Sequence, residues 1–256
     1  MNKEEYLYMN TLEKTDQTTY DFINNILTRQ RSEISFASHE IKNQLSFIRS
    51  SYQLISRKHP ESKDFSFWPE LGNSINNLIY FMERTSLYRY SFKSNPANMN
   101  ITGLLYSLPD LMDERFPSEI RRFCFDTDVR TITIHADYER LVIAFTELLA
   151  NACEASQYDD TICISSHVDE ESNHITITLT NPGTINIPPD TDPLIDAGAA
   201  LSQQLCTPFY TDKKSHAGLG LPIVYQICCT HNADFHINCT EHSTSTEIIF
   251  PIIDIS

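Results

Sequence analysis

The sequence has few basic residues. Its 19 lysines and arginines stand against 34 aspartates and glutamates, so the formal net charge is -15. Such a chain repels the phosphates of nucleic acids and of anionic lipids unless a local basic cluster offsets the charge. The pair Arg121 and Arg122 is too short to do so. We therefore expect no nucleic-acid partner.

Several other features are missing. No apolar run approaches the ~20 residues of a membrane-spanning helix, and the start, "MNKEEYLYMN", has no apolar targeting segment. The seven cysteines are odd in number and never spaced C-x-x-C, which is typical of reduced thiols. These features predict a cytoplasmic protein without a membrane segment of its own. The stretch "CCTH" fits no common zinc spacing, and neither a P-loop nor a G-x-S-x-G motif occurs.

Glycine is scarce, and only Gly72 lies in the first ~93 residues. That part carries isoleucines at a strict spacing of seven, with Ala37, Leu45 and Tyr52 in the neighbouring stripe; they are Ile34, Ile41, Ile48 and Ile55. This periodicity predicts a helix with one apolar seam. Pro60 ends the helix, and a second periodic run extends from Leu71 to Arg89.

Two helices with a short connection predict an antiparallel hairpin. A single hairpin buries only one stripe, and pairing two copies into a four-helix bundle would cover the other. We therefore expect a homodimer. If the isoleucines occupy the a position of the heptad, His39 occupies the outward f position.

The rest of the chain alternates between helix and strand patterns. Strands are predicted at "RRFCF", "TITIHA", "TICISSHV", "HITITLTN", "DFHINCT" and "TEIIFP", and helices at Thr102 to Phe116, after the N-cap Asp137 and at "GLPIVYQICCTH". This order predicts an α+β protein, in which a helical hairpin precedes an α/β sandwich with helices on one face. The expected divisions are residues 1–93 for the helical domain, 94–100 for a linker and 101–256 for the sandwich.

Four motifs occur in a specific order: "SHEIKNQL", "ELLANACEA", "NPGTI" and "PFYTDKKSHAGLGLPIV". Over roughly residues 30 to 250 they resemble the phosphoacceptor box, N box and glycine boxes of two-component sensor histidine kinases. The resemblance implies a dimerisation and phosphoacceptor domain followed by a GHKL-type ATPase domain, with ATP and Mg²⁺ as cofactors. It also implies the receiver domain of a response regulator as partner.

The residues of the first box, "SHEIKNQL", are suited to phosphoryl transfer. An exposed imidazole at His39 can attack a phosphoryl group, and the adjacent Glu40 can orient the ring and take its proton. Asn43 lies one helical turn further on the same face. The resemblance implies that an amide at this position orients the water that hydrolyses the phospho-aspartate of a receiver domain.

The remaining boxes imply a nucleotide site. Glu147 and Asn151 are four residues apart and share a helix face; the resemblance makes Asn151 a Mg²⁺ ligand and Glu147 a catalytic acid or base. Backbone N–H groups at a helix start bind phosphates, which points to Gly218, Leu219 and Gly220. Lys213 lies close enough in sequence to reach the same phosphates. Phe209 resembles the F-box aromatic residue.

The glycine boxes depart from the family pattern. Asn181 stands where the family has the aspartate that binds the adenine amino group, and Gly183 is followed by Ile185 where a second glycine is usual. His216 replaces another glycine. Residues 184–208 could form a mobile lid or an insertion that fills the pocket. A neutral acceptor in place of a charged one costs about 1 kcal/mol of binding free energy.

Three functions fit these motifs. In the first, the protein is a histidine kinase that phosphorylates His39 from ATP and passes the phosphoryl group to a response-regulator aspartate, with phosphatase activity as well. In the second, it is a histidine phosphotransferase or phosphatase of a phosphorelay with little or no ATP chemistry, which the altered glycine boxes favour. The third is a dimeric scaffold that docks a receiver domain.

Overall fold

The computed structural model describes residues 3–115, 123–127, 130–157, 159–183, 202, 204–211 and 216–255. The chain divides into two compact units. A helical unit contains Glu4–Tyr90 and Thr211–Leu219, and a sheet unit contains Ser91–Tyr210 and Gly220–Ser256, together with the first three residues. An α+β fold is thereby confirmed, with the helices first and the sheets second.

The helical unit is built on a long hairpin. Its helices are α1 (Lys3–Thr15), α2 (Gln17–Lys58) and α3 (Trp68–Tyr90), and a short 3₁₀ turn (Pro60–Asp64) lies between the last two. The break between α1 and α2 comes at Asp16, whose carboxylate accepts the Thr19 backbone N–H and so caps α2. The sequence patterns did not indicate this break. The predicted end of α2 just before Pro60 is confirmed.

One aromatic stack and two hydrogen bonds join α2 and α3 at the closed end of the hairpin. The rings of Tyr52 and Trp68 stack at 4.7 Å between centroids. The Tyr52 hydroxyl donates to the Trp68 carbonyl at 3.1 Å, and the Trp68 indole N–H donates to Ser56 Oγ at 2.9 Å. Gly72 provides the space, because a Cβ there would lie 2.5 Å from the Tyr52 Oη.

Helix α2 carries the isoleucine stripe and the neighbouring stripe with Ala37, Leu45 and Tyr52. The neighbouring stripe faces α3. Leu45 and, on α3, Ile75 are buried. The isoleucines remain exposed, at 54%, 49%, 47% and 43% for Ile34, Ile41, Ile48 and Ile55 in turn. Among the residues that the structure describes, no side chains cover the seam predicted from the heptads.

The sheet unit begins with β1 (Ala97–Asn100) and α4 (Ile101–Arg115), continues with β2 (Phe123–Asp126), β3 (Ile132–Ala136) and α5 (Tyr138–Ala155), and then forms β4 (Ile162–Asp169) and β5 (His174–Pro182). Helix α6 (Gly220–Thr230) and strands β6 (Asp234–Cys239), β7 (Ser243–Pro251) and β8 (Asp254–Ile255) complete it. Six strands and three helices match the sequence patterns. Strands β1 and β8 were not predicted, and β1 lies inside the expected linker.

The described strands form two sheets. The larger has the order β2-β4-β5-β7-β6, with β2 parallel to β4 and every other pair antiparallel; the smaller has the order β1-β3-β8. Alternate residues of β4 and β5, such as Ile164 and Ile177, are buried. Helix α5 packs against β5, and α6 packs against α5 and β6. The larger sheet therefore has one helix-covered apolar face and one polar face.

Candidate functional sites

The predicted phosphoacceptor lies in the middle of α2. His39, Glu40 and Asn43 are all exposed, and α2 runs through them without interruption. Within the described part of the chain, the His39 imidazole makes no hydrogen bond or ion pair, so both ring nitrogens are accessible. At 100° per residue, Asn43 lies about 40° around the helix from His39.

Two large apolar side chains lie on the same outward face of α2. Phe36 is 71% exposed and Phe47 is 70% exposed. By the helical period they lie about 60° and 80° around the axis from His39, far from both the isoleucine stripe and the stripe that packs on α3. Neither side chain contributes to the hairpin core.

In the sheet unit, α5 holds the second group of predicted residues. Asp137 caps its first turn by accepting the Arg140 backbone N–H at 3.2 Å. Glu147, about two turns before the helix ends, is 6% exposed, and Asn151, about one turn before its end, is half-buried. A carboxylate at a nearly buried position requires polar or cationic partners, which is unusual for a residue with only a packing role.

The start of α6 lies against these two side chains. A Cβ on Gly220 would lie 3.4 Å from Glu147 Oε2 and 3.5 and 3.6 Å from the Asn151 Nδ2 and Oδ1. The glycine therefore leaves the first turn of α6 open toward the carboxylate and the amide. The first N–H groups of that helix have no helical acceptor and form the positive end of its dipole. The structure thus brings Glu147, Asn151 and Gly220 together.

The end of β5 carries the altered glycine box. Asn181 is 4% exposed, and its Nδ2 donates to the Pro182 carbonyl at 2.7 Å, which fixes the amide orientation. Its Oδ1 remains as a neutral acceptor. Gly183 has φ +106°, and a Cβ on it would lie 2.4 Å from the Ala155 carbonyl oxygen at the end of α5. Only glycine fits this approach.

The other predicted site residues lie just before α6. Phe209 is 55% exposed and has φ +68°, a strained backbone for an aromatic residue, and strain of this kind is typical of functional loops. Gly218 has φ +63°, and Leu219 is buried. Lys213 lies outside the described residues. So does most of the 184–208 segment, although Leu205 and Cys206 are buried.

These residues are chemically suited to Mg²⁺ but do not form a closed metal cage. Within the described ranges, no group of three or more His, Cys, Asp or Glu side chains could hold a metal ion. Magnesium prefers hard oxygen ligands and keeps several waters, so the Asn151 Oδ1 with substrate phosphates is a suitable donor set. Glu147 lies close enough to Gly220 to act on the same ligands.

His231 is a positioning residue that the sequence patterns did not reveal. It is 4% exposed; its Nδ1 donates to the Ile227 carbonyl at 2.6 Å, and its Nε2 accepts the Asp137 backbone N–H at 2.9 Å. Burial lowers the pKa of His231, which keeps the ring neutral. It thereby joins the end of α6 to the start of α5. In the sequence, "CCTH" offered only a weak metal pattern.

Known proteins match the sheet unit of this chain and, over longer alignments, most of its length. Residues 136–254 match the histidine kinase-, DNA gyrase B-, and HSP90-like ATPase family. Sporulation kinase C of Bacillus subtilis (strain 168) is 22% identical over 90% of this chain and 52% of its own length. The sensory histidine kinase/phosphatase NtrB of Rhizobium meliloti (strain 1021) is 24% identical over 85% of this chain and 57% of its own length. The chain thus spans about half the length of these curated relatives.

Solved structures show the same fold. Full-length ShkA, crystallised in complex with AMPPNP, superposes with a TM-score of 0.65 at 17% identity, over 86% of this chain and 46% of ShkA. The histidine kinase AdeS of Acinetobacter baumannii superposes with a TM-score of 0.53 at 15% identity, over 84% of this chain and 98% of AdeS. Among the described residues, no helix is both long and apolar enough to cross a membrane.

Proposed function

Because the chain belongs to the two-component sensor histidine kinase family and carries its ATPase domain, we propose that it phosphorylates His39 from ATP. The phosphoryl group then passes to an aspartate of a response-regulator receiver domain. None of the seven cysteines forms a disulfide in the described part of the chain, which is typical of a reducing compartment, and we include a cytoplasmic location in the proposal.

The observation that carries this proposal is the approach of Gly220 to Glu147 and Asn151. A helix start with no side chain at its first position offers N–H donors to phosphate oxygens. The Asn151 Oδ1 supplies the oxygen that would hold Mg²⁺, which, when bound, neutralises charge on the phosphates. Glu147 is held beside the same oxygens, where it can orient a ligand water or accept a proton. A domain with no nucleotide to bind has no need for this combination.

On the acceptor side, the exposure of His39 supports the role of nucleophile. Its ring nitrogens make no hydrogen bond within the described residues, so one nitrogen can attack while the other keeps its proton. Glu40 follows it directly and can accept that proton as positive charge develops on the ring. Phosphoryl transfer then requires mainly positioning and charge neutralisation by the protein.

The exposed isoleucine stripe supports homodimerisation. Four β-branched side chains at a heptad spacing form one continuous apolar strip on α2, and Leu71 and Leu78 of α3 are also exposed, at 47% and 52%. A second copy would cover these side chains in a four-helix bundle, as coiled-coil packing requires. In that bundle, Phe36 and Phe47 would remain outside next to His39, where they could contact a receiver domain.

The test is incubation of the purified chain with labelled Mg·ATP, beside His39→Ala and Glu147→Gln. The kinase reaction predicts acid-labile label on the wild type and none on His39→Ala. Glu147→Gln should bind nucleotide but acquire label much more slowly. If the wild type acquires no label and shows no nucleotide binding by calorimetry, the kinase proposal is wrong.

Asn181 favours a second candidate function. Its neutral, internally hydrogen-bonded amide offers the adenine amino group a weaker acceptor than a carboxylate, by about 1 kcal/mol. A chain with weak nucleotide affinity could still act as a phosphotransferase or phosphatase through His39 and Asn43. We would then expect His39 to take a phosphoryl group from a phosphorylated receiver domain without ATP. Asn43→Ala should slow receiver dephosphorylation and leave phosphorylation of His39 unchanged.

A further inference from the structure

Cys124 and Cys163 lie directly opposite each other on neighbouring parallel strands. Cys124 is in β2, the edge strand of the larger sheet, and its Cα partner in β4 is Cys163. Neighbouring strands lie about 4.7–4.9 Å apart, and a disulfide requires a Cα separation of about 4.4–6.8 Å. The backbone spacing therefore permits a bond between the two residues without strand movement.

Both side chains project from the same face of the sheet. The flanking residues Ile162 and Ile164 are buried on the helix-covered face, so Cys163 projects from the opposite, polar face. Cys124 is exposed and Cys163 is half-buried. Cys124 lies near enough to raise the pKa of the Cys163 thiol. No other cysteine is paired with a cysteine in the register of the described strands.

We propose that Cys124 and Cys163 form a reversible intramolecular disulfide when the protein meets a peroxide. The exposed Cys124 sulfur attacks the peroxide O–O bond and becomes a sulfenic acid, with water as the product. The Cys163 sulfur then attacks the Cys124 sulfur, the S–O bond breaks, and a second water leaves. Two thiols lose two electrons in total, and the peroxide gains them.

The environment of Cys163 leaves Cys124 as the sulfur that reacts first with peroxide. Burial raises the pKa of the Cys163 thiol, and the neighbouring Cys124 and Asp126 raise it further. Its thiol is therefore protonated at neutral pH and reacts poorly with peroxide, whereas Cys124 is the solvent-facing sulfur. Once Cys124 is a sulfenic acid, the Cys163 sulfur attacks it, and the Cys163 proton leaves with the sulfenic oxygen as water. The disulfide would fasten the edge strand β2 covalently to β4, on the sheet face opposite α5 and its Glu147 and Asn151. The reaction therefore requires no ATP site and does not rest on the proposed kinase function.

The test uses the reduced, full-length chain treated with a small excess of hydrogen peroxide. Remaining thiols are then blocked with an alkylating agent, and the chain is digested without reductant for mass spectrometry. The proposal predicts one peptide pair joined through Cys124 and Cys163, and the loss of two free thiols per chain. Dithiothreitol should restore both thiols.

Two variants and one control make the result decisive. Cys124→Ser and Cys163→Ser should each abolish the joined peptide pair. Cys239→Ser, at a half-buried cysteine of the opposite edge strand, should keep it. Thermal unfolding of each reduced variant checks that it is folded. A folded wild type that oxidises only between chains, at another cysteine pair, or beyond the sulfenic acid without cross-linking would overturn the proposal.

Discussion

Replacement of Gly183 by alanine tests whether this glycine is required by packing within the sheet unit. Its φ of +106° is unfavourable for alanine, and the new Cβ would lie 2.4 Å from the Ala155 carbonyl oxygen. The backbone strain costs about 1–3 kcal/mol. Relief of the contact with a backbone atom, rather than a flexible side chain, costs about 1–3 kcal/mol more.

The two costs add to a loss of about 2–6 kcal/mol of unfolding free energy, which should lower the melting temperature by about 6–18 °C for a unit of this size. Circular dichroism at increasing temperature measures it. Gly103→Ala is the matched control, because its Cβ would meet the Asn100 side chain at 3.1 Å rather than a backbone atom, and alanine favours helix. If Gly183→Ala melts within about 1 °C of the wild type, or no lower than the control, packing within the sheet unit does not require this glycine.

Three further predictions follow from the packing and the protonation of other residues. Burial lowers the pKa of His231 below its usual 6.5, so the folded state binds fewer protons than the unfolded chain. The unfolding free energy should then fall as pH drops below 6.5, and His231→Gln should reduce this slope in chemical denaturation; an unchanged slope contradicts the assignment. Gly72→Ala places a methyl group 2.7 Å from the Tyr52 Cζ and should therefore lower the melting temperature of the helical unit by several degrees. An unchanged melting temperature would show that the Tyr52 ring does not require a glycine at this position. If the proposed homodimer forms through the isoleucine stripe, Ile48→Asp should be monomeric in light scattering and the outward Ser50→Asp should remain dimeric. Dimers in both variants would exclude this stripe as the interface.

The fold followed from the sequence wherever apolar periodicity was strong. The heptad isoleucines and the alternating β-branched residues of β4 and β5 marked their elements, and Asp137 marked the start of α5. Strand β1 escaped prediction because "ANMN" carries no β-branched or aromatic residue, and its pairing with β3 comes from tertiary contacts. The break at Asp16 rests on one capping side chain between two polar helix segments.

The candidate sites were predictable to different degrees. Motif order pointed to Glu147, Asn151 and Gly220, and the structure brings the three together. Sequence could not reveal the amide orientation of Asn181, which depends on a hydrogen bond to its own neighbour's carbonyl. Nor could it reveal His231 as the link between α5 and α6, because residues 137 and 231 meet only in the folded chain.

We propose that His39 receives its phosphoryl group through the site at Asn151. Mass spectrometry at neutral pH, after brief incubation with Mg·ATP, can locate phosphate on individual peptides. We expect one phosphoryl group on His39 in the wild type and none in a folded Asn151→Ala variant with His39 intact. Equal phosphorylation of His39 in both proteins, or an unmodified His39 in a wild type that binds ATP, would contradict it.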